Sequence, residues 1–255
     1  MNKIIKYVLI DILRNKVVMA YTLLLLVISF SVFSLEDNPS KGVVSLLNVV
    51  LIIVPLVSII FSTIYIYNSS EFIELLVSQP LRRNRIWLSL FTGLAMAVSV
   101  AFLVGCGIPV LLFAPADIGN TLILMGLILS VVFVAIAMLA AVLTRDKAKG
   151  IGASILLWFY FALIFDGIIL FLLFQFIDYP METPIIVFSL LNPIDLARIL
   201  ILLKLDLSVL MGATSAVFKD FFGSTGGVLL TIAVLLFWVV MPLWISLRRF
   251  NRRDL

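Results

Sequence analysis

Asp166, in the run LIFDGIILF, is an ionisable group inside an apolar stretch, and a carboxyl at that depth suits proton or ion handling, or proteolysis within a membrane. Aspartyl proteolysis needs a second acid at the same depth, and none of the other long apolar runs supplies one. The simpler expectation is an Asp hydrogen-bonded to Ser, Thr or Tyr on a neighbouring helix. Ser154, behind Gly152 and Ala153, has the small neighbours of a serine nucleophile. The chain has no histidine to serve as its base, which excludes histidine-dependent hydrolysis. Cys106 and eight methionines are soft sulfur ligands of the kind that select Cu(I). The methionines do not cluster at helical spacing, so they read as packing and lipid-facing residues. No catalytic residue, no metal site and no bound cofactor are expected, and a single cysteine leaves no intramolecular disulfide.

The elements that must position these groups follow from composition. Of 255 residues 64% are hydrophobic and only 13% charged, with a mean hydropathy of +1.27, too little polar surface to cover a soluble globule. The chain reads as one all-α integral membrane domain over residues 1–255. A span needs about 20 apolar residues, and six stretches qualify: 17–35, 43–67, 86–113, 119–143, 150–177 and 226–247. Residues 1–16 carry Lys3, Lys6, Tyr7, Asp11 and Arg14 on one helical side, which predicts a helix lying in the cytoplasmic interface and feeding an uncleaved first span. The net charge of +4 would suit nucleic acid in a soluble protein. Here the basic residues sort by loop instead. With both termini cytoplasmic, only Lys41, Arg198, Lys204 and Lys219 of the 18 Lys and Arg fall outside, the pattern of cytoplasmic loops rich in positive charge. No nucleic-acid partner is therefore expected. Pro55 and Pro109 predict kinks in the second and third spans, and Gly93 with Ala97 suits close helix packing.

Between the second and third spans lies EFIELLVSQPLRRNR. Asn68 is placed to cap a helix over 69–79, with Glu71 reaching back and Glu74 adding negative charge near the positive dipole end. Phe72, Leu75 and Leu76 form its expected apolar face, and Pro80 stops it. Arg82, Arg83 and Arg85 follow as a membrane anchor, each adding about 1 kcal/mol at anionic headgroups.

Residues 178–225 are expected to form an extracytoplasmic loop with amphipathic helices resting on the membrane. Asp195, Arg198, Lys204 and Asp206 argue against a seventh span, at about 2.5 to 3.5 kcal/mol per charge. Asn192, Pro193 and Asp195 form a helix start, and with Arg198 they offer a docking surface to an extracytoplasmic partner, although shielding of the span ends is the simpler role.

Six spans, an interface helix, a charged cytoplasmic helix and the order Glu71, Ile73-Glu74-Leu75-Leu76, Pro80, Arg82 resemble the permease subunits of type-2 ABC transporters. Within that superfamily DILRNK at 11–16, YNSSEFIELLVSQPLRR at 67–83 and LLNPIDLARIL at 190–200 resemble the NosY-type permeases of the copper-processing transporter that matures nitrous oxide reductase. The resemblance implies a homodimeric permease in the bacterial cytoplasmic membrane, driven by a separate cytoplasmic ATPase that holds ATP and Mg and facing a periplasmic β-helical partner. It implies that Glu71, Phe72, Glu74, Leu75, Leu76 and Pro80 transmit the ATPase's movement. Without histidine and with one cysteine, a copper-conducting pore is disfavoured relative to sulfur supply or mechanical work. An exporter of lipid, drug or polysaccharide stays open, and so does a stand-alone carrier, which should show ionisable groups in several spans.

Overall fold

The computed structural model describes residues 2–36, 38–144, 146–176, 182–205 and 221–252, and regular structure among them is helical throughout. Arg145, Asp206, Lys219 and Arg253, among the charges used above for topology, lie outside the described residues. The helices are α1 (Asn2–Leu13), α2 (Lys16–Leu35), α3 (Pro39–Asn68), α4 (Ser70–Val77), α5 (Arg83–Phe113), α6 (Ala116–Leu143), α7 (Lys147–Gln175), α8 (Glu182–Leu190), α9 (Pro193–Lys204) and α10 (Thr225–Asn251). Six of them, α2, α3, α5, α6, α7 and α10, are long and apolar enough to cross a membrane.

Short polar residues set the breaks. Asn15 Oδ1 accepts from Val17 N at 2.9 Å and starts α2, Asn38 Oδ1 accepts from Ser40 N at 2.9 Å before Pro39, and Asp146 Oδ1 accepts from Lys149 N at 2.8 Å to start α7. Each satisfies an amide that a helix start leaves without a partner.

The hub is α6, whose most apolar stretch is 72% buried, against 17% for α7 and for α10. It packs on α3, α5, α9 and α10, so α7 and α10 turn most of their apolar surface outward, as lipid-facing or partner-facing helices do. The N-terminal helix lies on α5: Val8 and Ile12 are fully buried, and a Cβ added at Gly93 would stand 2.6 Å from Val8 Cγ1. The expected close-packing glycine thus receives the N-terminal helix.

Two spans carry a widened π turn. In α5 it covers Leu103–Gly107, two residues ahead of Pro109, whose ring would crowd the carbonyl of Gly105 in a regular helix. Gly105 also meets α2, with Thr22 O 2.7 Å from where its Cβ would sit. Pro55 lies within the continuous helix α3. The second π turn, Tyr160–Ile164 in α7, directly precedes Asp166.

The largest departure from expectation is at 182–205. Helices α8 and α9 do not rest on the surface as amphipathic helices; they form a hairpin bent by 112° whose second arm is buried against α6, α10 and α3. Ile194, Asp195, Leu196, Ala197, Ile199, Leu200, Ile201 and Leu202 are all buried. The charge penalty that argued for a surface position is offset because Arg198 meets Asp166 and Asp195 inside the bundle.

Candidate functional site

The helix α4 is set by both of its neighbours. Asn68 is not its cap: it closes α3, and its Oδ1 accepts from Lys147 Nζ at 2.7 Å. Ser69 precedes α4 without a side-chain cap bond, and Glu71 supplies the negative charge of the first turn. Ile73 and Leu76, 5% and 7% exposed, hold the helix to the bundle. Phe72 is half-buried, its ring stacked on Tyr7 of α1 at 5.2 Å. Leu75 is 64% exposed, beside exposed Glu71, Glu74 and Ser78. The expected outward trio is therefore split, because Leu76 turns inward with Ile73 and Phe72 is engaged by α1. The outward ridge runs Glu71, Glu74, Leu75, Ser78, at the spacing of neighbours on one helical face.

The far end is anchored by packing as well as by charge. The helix stops at Val77, Ser78 Oγ donates to Leu75 O at 2.9 Å, and Gln79 with Pro80 forms the bend. Arg82 and Arg85 are exposed. Arg83 Nη1 donates to Asn251 O at 3.4 Å, placing a positive group at the carbonyl end of α10, where the helix dipole favours it. In the next turn Trp87 Nε1 donates to Ser246 Oγ at 3.0 Å, and the indole stacks on Phe250 at 4.4 Å. The sequence reading missed Trp87, Ser246 and Phe250. The only signal was an aromatic in the first turn of a span, and its partner lies 159 residues away.

A second polar centre joins α7 to the buried hairpin. Arg198 Nη1 lies 2.8 Å from Asp166 Oδ2 and 3.2 Å from Asp195 Oδ1. Asp166 is thus paired with an arginine rather than with the Ser, Thr or Tyr that was expected. Asn192, fully buried, accepts from Ile194 N at 3.0 Å as the cap of α9 and donates through Nδ2 to Phe161 O at 2.9 Å. That carbonyl is accessible because the π turn sends the Phe165 amide to Tyr160 O. Trp238 Nε1 of α10 donates to Leu190 O at 3.3 Å and holds the hairpin's other arm. Asn192, Pro193 and Asp195 are buried, so the docking surface expected at these residues with Arg198 does not form; they seat the hairpin instead.

Between α1 and α3 opens a cleft of about 460 Å³ with Asp11, Asn15, Phe61, Tyr65 and Asn68 in its wall, where Tyr65 OH donates to Asp11 Oδ2 at 3.0 Å. Among the described residues no group of three or more His, Cys, Asp or Glu is placed to hold a metal ion.

Six candidate spans among the described residues and the short surface-presented helix α4 describe a multi-pass membrane protein. No protein-family profile matches the chain. The probable ABC transporter permease protein NosY of Pseudomonas aeruginosa is 26% identical over 255 residues, covering 92% of this chain and 89% of that protein. Its namesake from Stutzerimonas stutzeri is 26% identical over 259 residues, covering 92% and 90%. The chain is distantly similar to these permeases over nearly its whole length.

Proposed function

We propose that this chain couples ATP hydrolysis by a separate cytoplasmic ABC ATPase to transport or mechanical work across the membrane, and that α4 is the lever. The supporting observation is that α4 presents Glu71, Glu74 and Leu75 outward while Phe72, Ile73 and Leu76 bind it to the bundle. A push on that ridge passes to α1 through Tyr7, and the span that follows is tied to α10 through Arg83 and Trp87. Affinity capture of the wild-type chain from its native membrane should bring down an ABC ATPase. Capture of the chain without one, under conditions that retain other membrane complexes, removes this reading.

The partner across the membrane plane is a second copy. Leu156, Leu163 and Leu170 recur at seven-residue spacing on α7 and are exposed, and Gly152 and Gly167 have no atom within 4 Å of an added Cβ. A smooth heptad stripe with small residues suits a helix-to-helix seam. In a Cys106→Ala background, Leu163→Cys is expected to crosslink between copies, and Leu229→Cys on α10 is not. Crosslinking from position 229 and none from 163 would place the seam elsewhere.

The narrower reading, supported by the NosY likeness, is a role in completing the copper-sulfur centre of nitrous oxide reductase, with a periplasmic β-helical protein as the receiving partner. Sulfur supply or mechanical work fits the chain better than copper conduction, given one buried cysteine and no histidine. Deleting the gene should leave nitrous oxide reductase exported but without its catalytic centre. Fully active reductase in the deletion strain would rule this reading out.

A further inference from the structure

Two carboxylates and one guanidinium meet where α7 touches the buried hairpin, which leaves one negative charge without a counter-ion in the cluster. Asp195 is 6% exposed, and neither of its carboxylate oxygens accepts a hydrogen bond among the described residues. The 3.2 Å approach to Arg198 Nη1 is an ion contact without hydrogen-bond alignment. A buried carboxylate with empty acceptor positions is costly. The elements packed on α9 are α3, α6, α7, α8 and α10. From them the charged group that acts on Asp195 is Asp166, joined by Arg198 of α9 itself.

We propose that Asp166 and Asp195 form a proton-binding site inside the bundle, one proton being shared between the two carboxyl groups while Arg198 balances the remaining charge. The two carboxylates converge on one guanidinium nitrogen, Arg198 Nη1 lying 2.8 Å from Asp166 Oδ2 and 3.2 Å from Asp195 Oδ1. With both ionised they are acceptors only, and the contact is repulsive. One proton turns it into an O–H donating to a carboxylate and restores electroneutrality with the guanidinium. The proton belongs to the pair rather than to either residue. Its loss leaves an uncompensated charge between α7 and α9, so the seating of the hairpin depends on pH. This site does not rest on the coupling role of α4 or on the identity of the cargo.

The test is infrared spectroscopy of the full-length protein in lipid nanodiscs, reading the carbonyl stretch of protonated carboxylic acids as pH is raised. The wild type should show such a band at neutral pH and lose it on alkalinisation. Asp195→Asn and Asp166→Asn should each abolish it, because Arg198 then balances the one remaining carboxylate and no proton is required. Arg198→Gln should strengthen it, because two carboxyls must then be neutralised. A wild type without the band at neutral pH overturns the proposal. A band that survives in Asp166→Asn also overturns it, since burial of Asp195 alone would then hold the proton.

Discussion

Arg198→Ala is expected to destabilise the folded protein by about 1 to 3 kcal/mol, less than the loss typical of a fully buried cluster because Arg198 and Asp166 each keep about a third of the side chain exposed. The mechanism is specific. Arg198 Nη1 contacts both Asp166 and Asp195, so the alanine variant leaves two carboxyls facing each other with no cation between α7 and α9. The fold can recover part of the loss only by protonating both. Its folded state then holds protons that the unfolded chain releases, so the stability of the variant should fall as pH rises. Reversible unfolding in mixed micelles at two pH values measures both effects. Adding Asp166→Asn and Asp195→Asn to Arg198→Ala should restore most of the stability and remove its pH dependence, because an uncharged cluster needs no counter-ion. An Arg198→Ala protein as stable as the wild type at both pH values would show that the hairpin is held by Asn192 and apolar packing alone.

The same cluster shows where sequence reasoning stopped. Composition and run length were enough for an all-helical protein with six candidate spans, because the cost of exposing polar backbone in hydrocarbon leaves few alternatives. The position of α9 was not legible. Each charge between 195 and 204 was weighed as an isolated burial, whereas Arg198 finds its partner Asp166 32 residues earlier in the chain. The π turn that opens Phe161 O to Asn192 has no signature in YFALI. At α4 the acidic first turn was readable, but the helix runs Ser70–Val77 rather than 69–79 and ends before the Gln79–Pro80 bend. Which apolar residues faced outward was not readable, since Phe72, Ile73, Leu75 and Leu76 populate more than one face and only the position of α1 and α5 decides among them.

That distinction decides how the lever is tested. Leu75→Arg is expected to weaken association with the ATPase by about 30-fold or more, corresponding to about 2 kcal/mol for a central interface residue. Leu75 is the exposed apolar side chain of the ridge, so its replacement removes no packing within the permease. Arginine is preferable to aspartate at this position. Glu71 stands four residues earlier, where an acid would repel it and weaken the helix, whereas arginine pairs with it and keeps α4 formed. Leu76→Arg serves as the contrast: that side chain is 7% exposed, so the charge should dislodge α4 and lower the melting temperature of the isolated permease. Phe72→Asp would confuse the two effects, because it breaks the stack on Tyr7 as well as any contact with a partner. Co-purification and binding of the separately expressed ATPase to the variants in nanodiscs supply the measurement. Loss of binding in Leu75→Arg with unchanged unfolding of the permease identifies the ridge as the coupling surface. Full binding in Leu75→Arg would move that surface away from α4.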